Sequence, residues 1–448
     1  MSIVEVEMSR FFSKEEVERL ARGTSLVERR SPITGFKFLV TFTTGLLNTP
    51  DGTLAQLAAF LASACQTKVS TQAVDERIDA TAMEFMRQCL EKAILMSRRP
   101  LDFDEGALAG FDHVYVIDST NFELHPSLAN VFKGCGGGAS KAAMRIQFVL
   151  DYLTGTVHIE IGDTKLSDPK TLHAIMRKRG LDMSGICLYL SDLGYFKTAT
   201  FEEMAAIPDQ YFVSKLMFGV KLADESGKEL DLQRLLKKAP ETFDMIVRIG
   251  GLTCRLVGKR LPDNVVNQRL RKANEASERK GGITDGYRLF LHYALCITNL
   301  PPRYSADVLF VLYRIRWRIE LVFKTWKSIL SIHKIRSAKH ERVMCEVYGK
   351  LVLAVLSSLM CAGAEALLDG AVVSLHRVMR HLRVAAMTWA FAIMGGPRSL
   401  TKFIAMTTRD IARLCKKRSQ KNKQTIEDIL REALVVDDLQ SGKKAGSS

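Results

Sequence analysis

The segment MRIQFVLDYLTGTVHIEIGD, residues 144–163, decides the fold class of this chain. Two runs rich in β-branched and aromatic residues flank a turn at 152–155, and this pattern predicts a β-hairpin. Upstream, the short apolar run VYVID at 114–118 predicts a further strand. The sequence therefore predicts three consecutive antiparallel strands.

The residues after the hairpin predict an alternation of helices and strands. A helix is expected at 167–180, a strand in ICLYLSD at 186–192, a helix from about Phe196 and a strand at 211–215. Three antiparallel strands followed by helix, strand, helix and strand is the order of a ribonuclease-H-like domain. We therefore expect an α/β core with a mixed five-stranded sheet.

The charge of the chain favours a polyanionic partner. Its 448 residues include 64 Lys and Arg against 49 Asp and Glu, so the formal net charge is +15 and the sequence pI is about 9.4. Nucleic acid is the first candidate partner for such a charge. The acidic first 18 residues do not resemble a signal peptide, and the apolar run at 351–364 is too short to span a membrane. We expect a cytoplasmic protein without a membrane partner.

The nine cysteines are scattered, and the sequence contains no CxxC pair. This distribution favours reduced, buried thiols over a disulfide framework or a zinc site. In the N-terminal region, an apolar helix from Leu54, a break at 66–68 and a helix from about Ser70 have the spacing of a helix-turn-helix. Any small helical bundle shows similar breaks, so a purely structural role for this region remains open.

Changes in residue composition and predicted secondary structure divide the chain into a ribonuclease-H-like core, an inserted mainly-β subdomain and helical flanks. A strand at 288–298 is expected to return the chain from the insertion to the core. Residues 1–105 are expected to form a helical N-terminal DNA-binding region. The core is expected at 106–217 and, with the Glu320 helix, at 287–366, and the insertion lies between these parts at 218–286. Residues 367–448 are expected to form a helical C-terminal region that serves dimerisation or DNA contact and ends in a disordered tail.

The stretch YRIRWRIELVFKTWKSIL, residues 313–330, predicts one amphipathic helix. Its apolar stripe comprises Ile315, Ile319, Val322, Trp326 and Ile329. The opposite face groups four polar side chains within an arc of about 60°: Tyr313, Arg316, Glu320 and Lys327. A solvated face with ordinary helical ion pairs is the alternative interpretation.

Two predicted strands end in a carboxylate, Asp118 and Asp192, and strand ends are where ligands gather in an open α/β sheet. In-line transfer of a phosphodiester calls for two Mg²⁺ ions held by hard oxygen ligands. Asp118, Asp192 and Glu320 meet that need, although an isolated Asp at a strand end is commonly a turn or cap residue. Three rival carboxylates rank lower: Asp151, Asp163 and Asp168.

The spacing Tyr-x2-Arg-x3-Glu-x6-Lys, formed by Tyr313, Arg316, Glu320 and Lys327, resembles the YREK signature of DDE transposases from bacterial insertion sequences. The blocks VIDST around Asp118, SDLGYF around Asp192 and ITNLPP at 297–302 are also similar to that family. The resemblance covers roughly residues 110–350. It implies a Mg²⁺-dependent transposase, with Mn²⁺ as a substitute, whose three acids hold two metal ions per active site.

The resemblance further implies double-stranded DNA partners, namely the terminal inverted repeats and the target DNA, and a homodimer in a synaptic complex. Arg316 and Lys327 are expected on phosphates, and Tyr313 is expected to hydrogen-bond one. Some relatives form a DNA hairpin intermediate, in which the indole of a tryptophan holds a flipped base. Tyr293 occupies the corresponding position in this sequence. Trp317 is a second candidate for base stacking, and the alternative interpretation is that its side chain is packed in the core. A non-catalytic DNA-binding repressor or degenerate relative, and a ribonuclease-H-like nuclease without strand transfer, remain alternatives.

Overall fold

The computed structural model describes residues 2–96, 106–135, 140–164, 183–277, 282–368, 371–417 and 429–430. The helix expected at 167–180, the rival carboxylate Asp168 and the expected C-terminal tail lie outside these residues. The N-terminal helices are α1 (Ile3–Phe11), α2 (Lys14–Gly23), α3 (Gly35–Val40), α4 (Leu46–Asn48), α5 (Leu54–Ala64), α6 (Thr71–Glu76) and α7 (Ala80–Met96). A π-helical turn, Thr41–Gly45, joins α3 to α4.

Ten strands form one mixed sheet in the order β3-β2-β1-β4-β5-β10-β9-β8-β6-β7. The strands are β1 (His113–Glu123), β2 (Ala143–Asp151), β3 (Val157–Asp163), β4 (Cys187–Ser191), β5 (Gln210–Lys215), β6 (Leu222–Ala223), β7 (Glu229–Leu230), β8 (Thr242–Ile249), β9 (Leu252–Arg260) and β10 (Tyr293–Thr298). The other α-helices in the described residues are α8 (Thr198–Ala205), α9 (Leu232–Lys238), α10 (Asp263–Ser277), α11 (Asp285–Phe290), α12 (Ala306–Ile315), α13 (Trp317–Ser328), α14 (His340–Glu365), α15 (Leu375–Val384), α16 (Ala386–Met394) and α17 (Pro397–Leu414).

The first five strands have the predicted ribonuclease-H-like arrangement. β1, β2 and β3 pair antiparallel, whereas β4 pairs parallel to both β1 and β5. The turn that joins β2 to β3 is built on Asp151, whose carboxylate accepts hydrogen bonds from Leu153 N (3.2 Å) and Thr154 Oγ1 (2.6 Å). The hairpin prediction is therefore confirmed, and Asp151 is a turn residue.

The sheet extends beyond the five strands expected for the core. β10 pairs antiparallel to β5, and β9 and β8 continue the same sheet beyond it. The strand expected from Arg288 begins only at Tyr293, because the Thr284 side chain caps Tyr287 N at 3.2 Å and residues 285–290 form α11. Residues 218–286 thus add the four strands β6 to β9 and the helices α9 and α10 to the edge of the sheet.

Alternate side chains of the central strands enter two cores on opposite faces of the sheet, as a two-residue period requires. On β1, Val114 and Val116 belong to the core beneath the flanking helices. Tyr115 and Ile117 belong to the smaller core on the other face. The sheet is covered on both sides, which fixes the register of β1.

Helix α14 is the central helix of the larger core. It is the one helix in the described residues that is long and apolar enough to cross a membrane by length and composition, yet 78% of its apolar window is buried inside the protein. The sequence prediction of a buried helix at 351–364 is confirmed. The described cysteines are free thiols, and most are buried, as expected.

Candidate active site

Asp118 and Asp192 meet where strand β4 ends. Ile117 and Ser191 form the last parallel pair between β1 and β4, so each aspartate follows its strand at the same level of the sheet. Asp118 does not end its strand, contrary to the sequence prediction, because β2 pairs with β1 as far as Glu123. The loss of its parallel neighbour, and not the end of β1, places Asp118 at the edge where β4 stops.

Glu320 reaches this edge from helix α13. The single helix expected at 313–330 is in fact two helices, α12 and α13, joined at Arg316. Backbone hydrogen bonds between residues three apart, as in a 3-10 helix, flank the joint. Arg316 N donates to Tyr313 O, and Ile319 N donates to Arg316 O, both at 3.2 Å. The predicted apolar stripe is confirmed for Ile315, Ile319, Trp326 and Ile329, which are buried, whereas Val322 is partly buried.

The guanidinium of Arg316 contacts all three carboxylates. Its Nη1 lies 3.2 Å from Asp118 Oδ2 and 3.7 Å from Asp192 Oδ1, and its Nη2 donates to Glu320 Oε1. The Arg316 and Asp118 side chains are only 8% and 13% exposed, whereas Asp192 and Glu320 are 41% and 37% exposed. Asp118 is thus buried in the cluster, whereas Asp192 and Glu320 remain accessible to solvent. The alternative interpretation, in which the polar face of this helix is solvated, is wrong for Arg316.

Burial raises the pKa of Asp118 to about 6. The Ser119 backbone amide and Arg316 act in the opposite direction, while Asp192 and Glu320 add to the increase. Burial by itself would lower the pKa of Arg316, but contacts with Tyr313, Asp192 and Glu320 more than offset it and raise that pKa. Arg316 therefore stays charged and compensates a group of acids that repel one another.

Tyr313 supports Arg316 and does not face solvent. It is 9% exposed, its hydroxyl donates to Ser191 O at 3.2 Å, and its ring lies 5.6 Å from the Arg316 guanidinium. The expectation that this hydroxyl bonds a phosphate is not supported, because the strand that carries Asp192 already accepts it. Tyr313 therefore ties the helix joint to the end of β4.

Lys215 is a member of this site that the sequence analysis missed. It ends β5, and its Nζ lies 5.4 Å from the Tyr313 ring centre. Burial lowers its pKa, and the neighbouring Arg316 lowers it further, while Asp192 opposes the change. Since β5 is the parallel neighbour of β4, the rule that drew attention to Asp192 would also have found Lys215.

A family model described as the transposase DDE domain matches residues 109–356. The matched segment is more than half of the chain and contains the three clustered acids. The chain belongs to the DDE transposase family. The likeness extends beyond the matched domain, since individual transposases align over most of the chain.

Three bacterial relatives illustrate the similarity. The transposase of insertion sequence IS1151 from Clostridium perfringens is 28% identical, over 78% of each chain. The IS231B transposase of Bacillus thuringiensis subsp. berliner is 27% identical over 77% of each chain, and the IS231C transposase from the same source is 26% identical over 98% of this chain and 97% of that protein. A cryo-EM structure of a piggyBac transposase synaptic complex with hairpin DNA has a TM-score of 0.44 and 11% identity, and covers 94% of this chain and 87% of that chain.

The donor set of the transposase fits a divalent metal, on which DDE enzymes depend. Carboxylate oxygens are the ligands that hard cations take, and all three carboxylates already converge on one cationic group. In the described part of the chain, no three His, Cys, Asp or Glu side chains are close enough to one another to hold a metal ion. The three carboxylates lie around the Arg316 guanidinium. Their side chains would have to rotate towards one another to share a metal ion.

The remaining predicted DNA contacts of the transposase differ in exposure. Trp317 is 56% exposed, so the packed alternative for this side chain is wrong. Tyr293 is 4% exposed and its hydroxyl donates to Leu236 O at 2.9 Å. Tyr293 is therefore a core residue with no free face for a flipped base, and its predicted stacking role is not supported. Lys327, two turns after Glu320, is half-buried.

Proposed function

We propose that Asp118, Asp192 and Glu320 hold two Mg²⁺ ions, or Mn²⁺ as a substitute, in each active site. The observation that carries this proposal is the contact of one guanidinium with all three acids. When bound, such ions activate the attacking oxygen and stabilise the leaving oxygen of a phosphodiester. Arg316 keeps the three carboxylates together by compensating their charge, and Tyr313, whose ring lies near both Arg316 and Lys215, fixes the position of Arg316.

The proposed substrates are the terminal inverted repeats of the insertion sequence that encodes the chain, followed by target DNA. The proposed reaction is hydrolytic cleavage at the element ends and strand transfer of the freed end. Helices α5 and α6, which begin at Leu54 and Thr71, close to the starts expected for a helix-turn-helix, are the proposed contact with the repeat. Lys327 is proposed to contact a phosphate near the cleavage site, since it lies on the same helix as Glu320.

We also propose a homodimer in the synaptic complex and a cytoplasmic location in a bacterium. Two element ends must be brought together before strand transfer, which a two-fold pair of identical chains does directly. Residues 367–448 are proposed to serve dimerisation or DNA contact. The inserted segment 218–286 is proposed as a subdomain that widens the sheet at the side of Lys215.

Trp317 is proposed to stack on a base near the cleaved phosphate. We expect Trp317→Ala to leave the melting temperature nearly unchanged, because the side chain is more than half exposed. Cleavage should fall by about tenfold, which corresponds to a stacking contribution of 1–3 kcal/mol per base. Trp317→Phe keeps an aromatic face and should recover most of the rate. Equal rates for Trp317→Ala and the wild type would remove this residue from the DNA path.

Binding of terminal-repeat DNA should weaken steeply with salt. The net charge of +15 implies that several phosphates are neutralised on binding, and each contributes a slope of about −0.9 to log K against log salt. Titrations by fluorescence anisotropy between low and physiological ionic strength measure that slope. A flat response would contradict a basic DNA track on this protein.

A cleavage assay tests the proposed function. A DNA fragment with the ends of the element should be cut in Mg²⁺ and not in EDTA, and the cut end should join to a target plasmid. Binding without cleavage would favour the repressor or degenerate relative. Cleavage without joining would favour a nuclease.

A further inference from the structure

Four charged side chains share one face of helix α14. Lys339 immediately precedes the helix, and Arg342, Glu346 and Lys350 follow at intervals of three and four residues, so they fall within an arc of about 80°. Glu346 and Lys350 are only 2% and 1% exposed. Buried charges are costly unless they are paired and hydrogen-bonded, so this row calls for specific partners. We name these four residues the α14 charged face.

The cations of the α14 charged face donate to backbone carbonyls of the N-terminal region. Lys339 Nζ donates to Asp75 O at 2.8 Å, Arg342 Nη2 to Gly52 O at 2.6 Å, and Lys350 Nζ to Pro50 O at 3.0 Å. Pro50 and Gly52 lie just before α5, and Asp75 lies in the last turn of α6. The α5–α6 pair is therefore fastened to α14 at both of its ends.

The fit at the α5 end is close. Gly52 has a φ of +57°, and a Cβ there would lie 2.9 Å from Leu46 Cδ2, so only glycine fits this turn without strain. Glu346 accepts a hydrogen bond from Arg342 Nε at 3.0 Å and attracts the Lys350 ammonium. Its carboxylate thereby reduces the net positive charge of the α14 charged face. Burial lowers the pKa of Lys350 to about 8, and Glu346 opposes that change. The Lys350 ammonium thus stays charged and hydrogen-bonded in the core near neutral pH.

Lys350 has a second partner at the end of the catalytic helix. Its Nζ also donates to Ser331 O at 3.3 Å. Ser331 follows α13 in a left-handed conformation, with φ +50° and ψ +40°, which a non-glycine residue adopts only where its surroundings hold it. One ammonium therefore joins the loop before α5 to the turn that ends the Glu320 helix.

We propose that Lys350 is a positioning residue that couples recognition of the terminal repeat by α5–α6 to the placement of Glu320. This inference rests on the proposed function, in which α5–α6 contacts the repeat and Glu320 lies in the active site. A shift of α5–α6 on DNA is carried to Pro50, from there to Lys350, and then to Ser331 and α13. A lysine with only a structural role would support the fold without linking these two sites.

The test compares the full-length wild type and Lys350→Met on two duplexes. The first duplex carries the intact terminal repeat. In the second duplex, the base pairs that crosslink to α5–α6 of the wild type are replaced by other base pairs. In the wild type, the intact repeat should be cleaved faster in single-turnover reactions at saturating protein. In Lys350→Met, the ratio of the two rates should collapse by about tenfold, in the range of coupling between residues that share a network.

Val352→Ala is the matched control, because it truncates a fully buried side chain of α14 outside the charged face. It should slow both duplexes by the same factor and leave the ratio unchanged. The same uniform loss in Lys350→Met would overturn the coupling. If Lys350→Met is insoluble, Lys350→Gln, which retains an amide donor and loses the charge, is judged by the same ratio.

Failure of the proposed function has a different signature. Absence of any crosslink between α5–α6 and DNA in the wild type would refute the proposed contact with the repeat before Lys350 is altered. An unchanged ratio in a protein that does crosslink would refute only the coupling.

Discussion

Replacement of Asp118, Asp192 or Glu320 by alanine is expected to abolish DNA cleavage and to leave binding of the terminal repeat nearly intact. In the proposed function, metal ions held by these acids would act on the transition state, whereas the basic surface would hold DNA in its ground state. Loss of several kcal/mol of transition-state stabilisation corresponds to about a thousandfold or greater loss of rate. Single-turnover cleavage and equilibrium binding, measured on each variant, check this expectation.

Asp163→Ala is the control for these variants. Asp163 is a carboxylate at the end of β3, on the strand next to β2 and two strands away from β1. Its loss should leave cleavage within about twofold of the wild type, because Asp163 pairs with Met144 of β2, four residues along that strand from Phe148, the partner of Asp118. Retained cleavage in Asp118→Ala, Asp192→Ala or Glu320→Ala would exclude the altered residue from the active site.

Arg316→Ala is expected to lower both cleavage and stability. Without the guanidinium, the three acids repel one another, and the free energy of unfolding should fall by about 1–3 kcal/mol, a moderate value because Asp192 and Glu320 are partly solvated. Cleavage should fall by about tenfold or more, since the acids lose their common position. Arg316→Lys should also be impaired, because an ammonium lacks the planar fork with which Arg316 donates to Asp118 and Glu320 while it lies beside Asp192.

Mg²⁺ separates the two effects of Arg316→Ala. Added Mg²⁺ should raise the melting temperature of this variant more than that of the wild type, because the ion then replaces the positive charge that the guanidinium supplied to the acids. Thermal melts in Mg²⁺ and in EDTA, run beside single-turnover cleavage, measure both effects. A melting temperature and a rate equal to those of the wild type would show that Arg316 does not organise the acids.

The hairpin and the order of the first five strands were predictable because each depends on local patterns. The alternation at 144–163 specifies a two-faced strand pair, and Asp151 provides the turn chemistry. The continuation of the sheet past β10 was not predictable, since nothing local in residues 242–260 indicates which strand they pair with. The start of β10 at Tyr293 also depended on the Thr284 cap, which favours a helix at 285–290.

That Asp118, Asp192 and Glu320 lie near one another was predictable from residue types and spacing, but their arrangement around Arg316 was not. Periodicity placed Arg316 on the same face as Glu320, where a phosphate contact was one reasonable interpretation. Its contact with Asp118 arises from an element 198 residues away along the chain, which no helical spacing reveals. The same holds for Tyr293, whose burial depends on packing against α9.

Metal rescue tests the metal assignment most directly. Asp118→Cys, Asp192→Cys and Glu320→Cys each replace a hard oxygen ligand by a thiolate, which binds Mg²⁺ poorly and softer ions better. Single-turnover cleavage of terminal-repeat DNA by each variant is measured in Mg²⁺ and in Mg²⁺ supplemented with Mn²⁺ or Cd²⁺. Three acids that hold metal ions predict inactivity in Mg²⁺ and recovery by about tenfold or more with the softer ion. Full activity of the cysteine variants in Mg²⁺ alone would contradict the assignment.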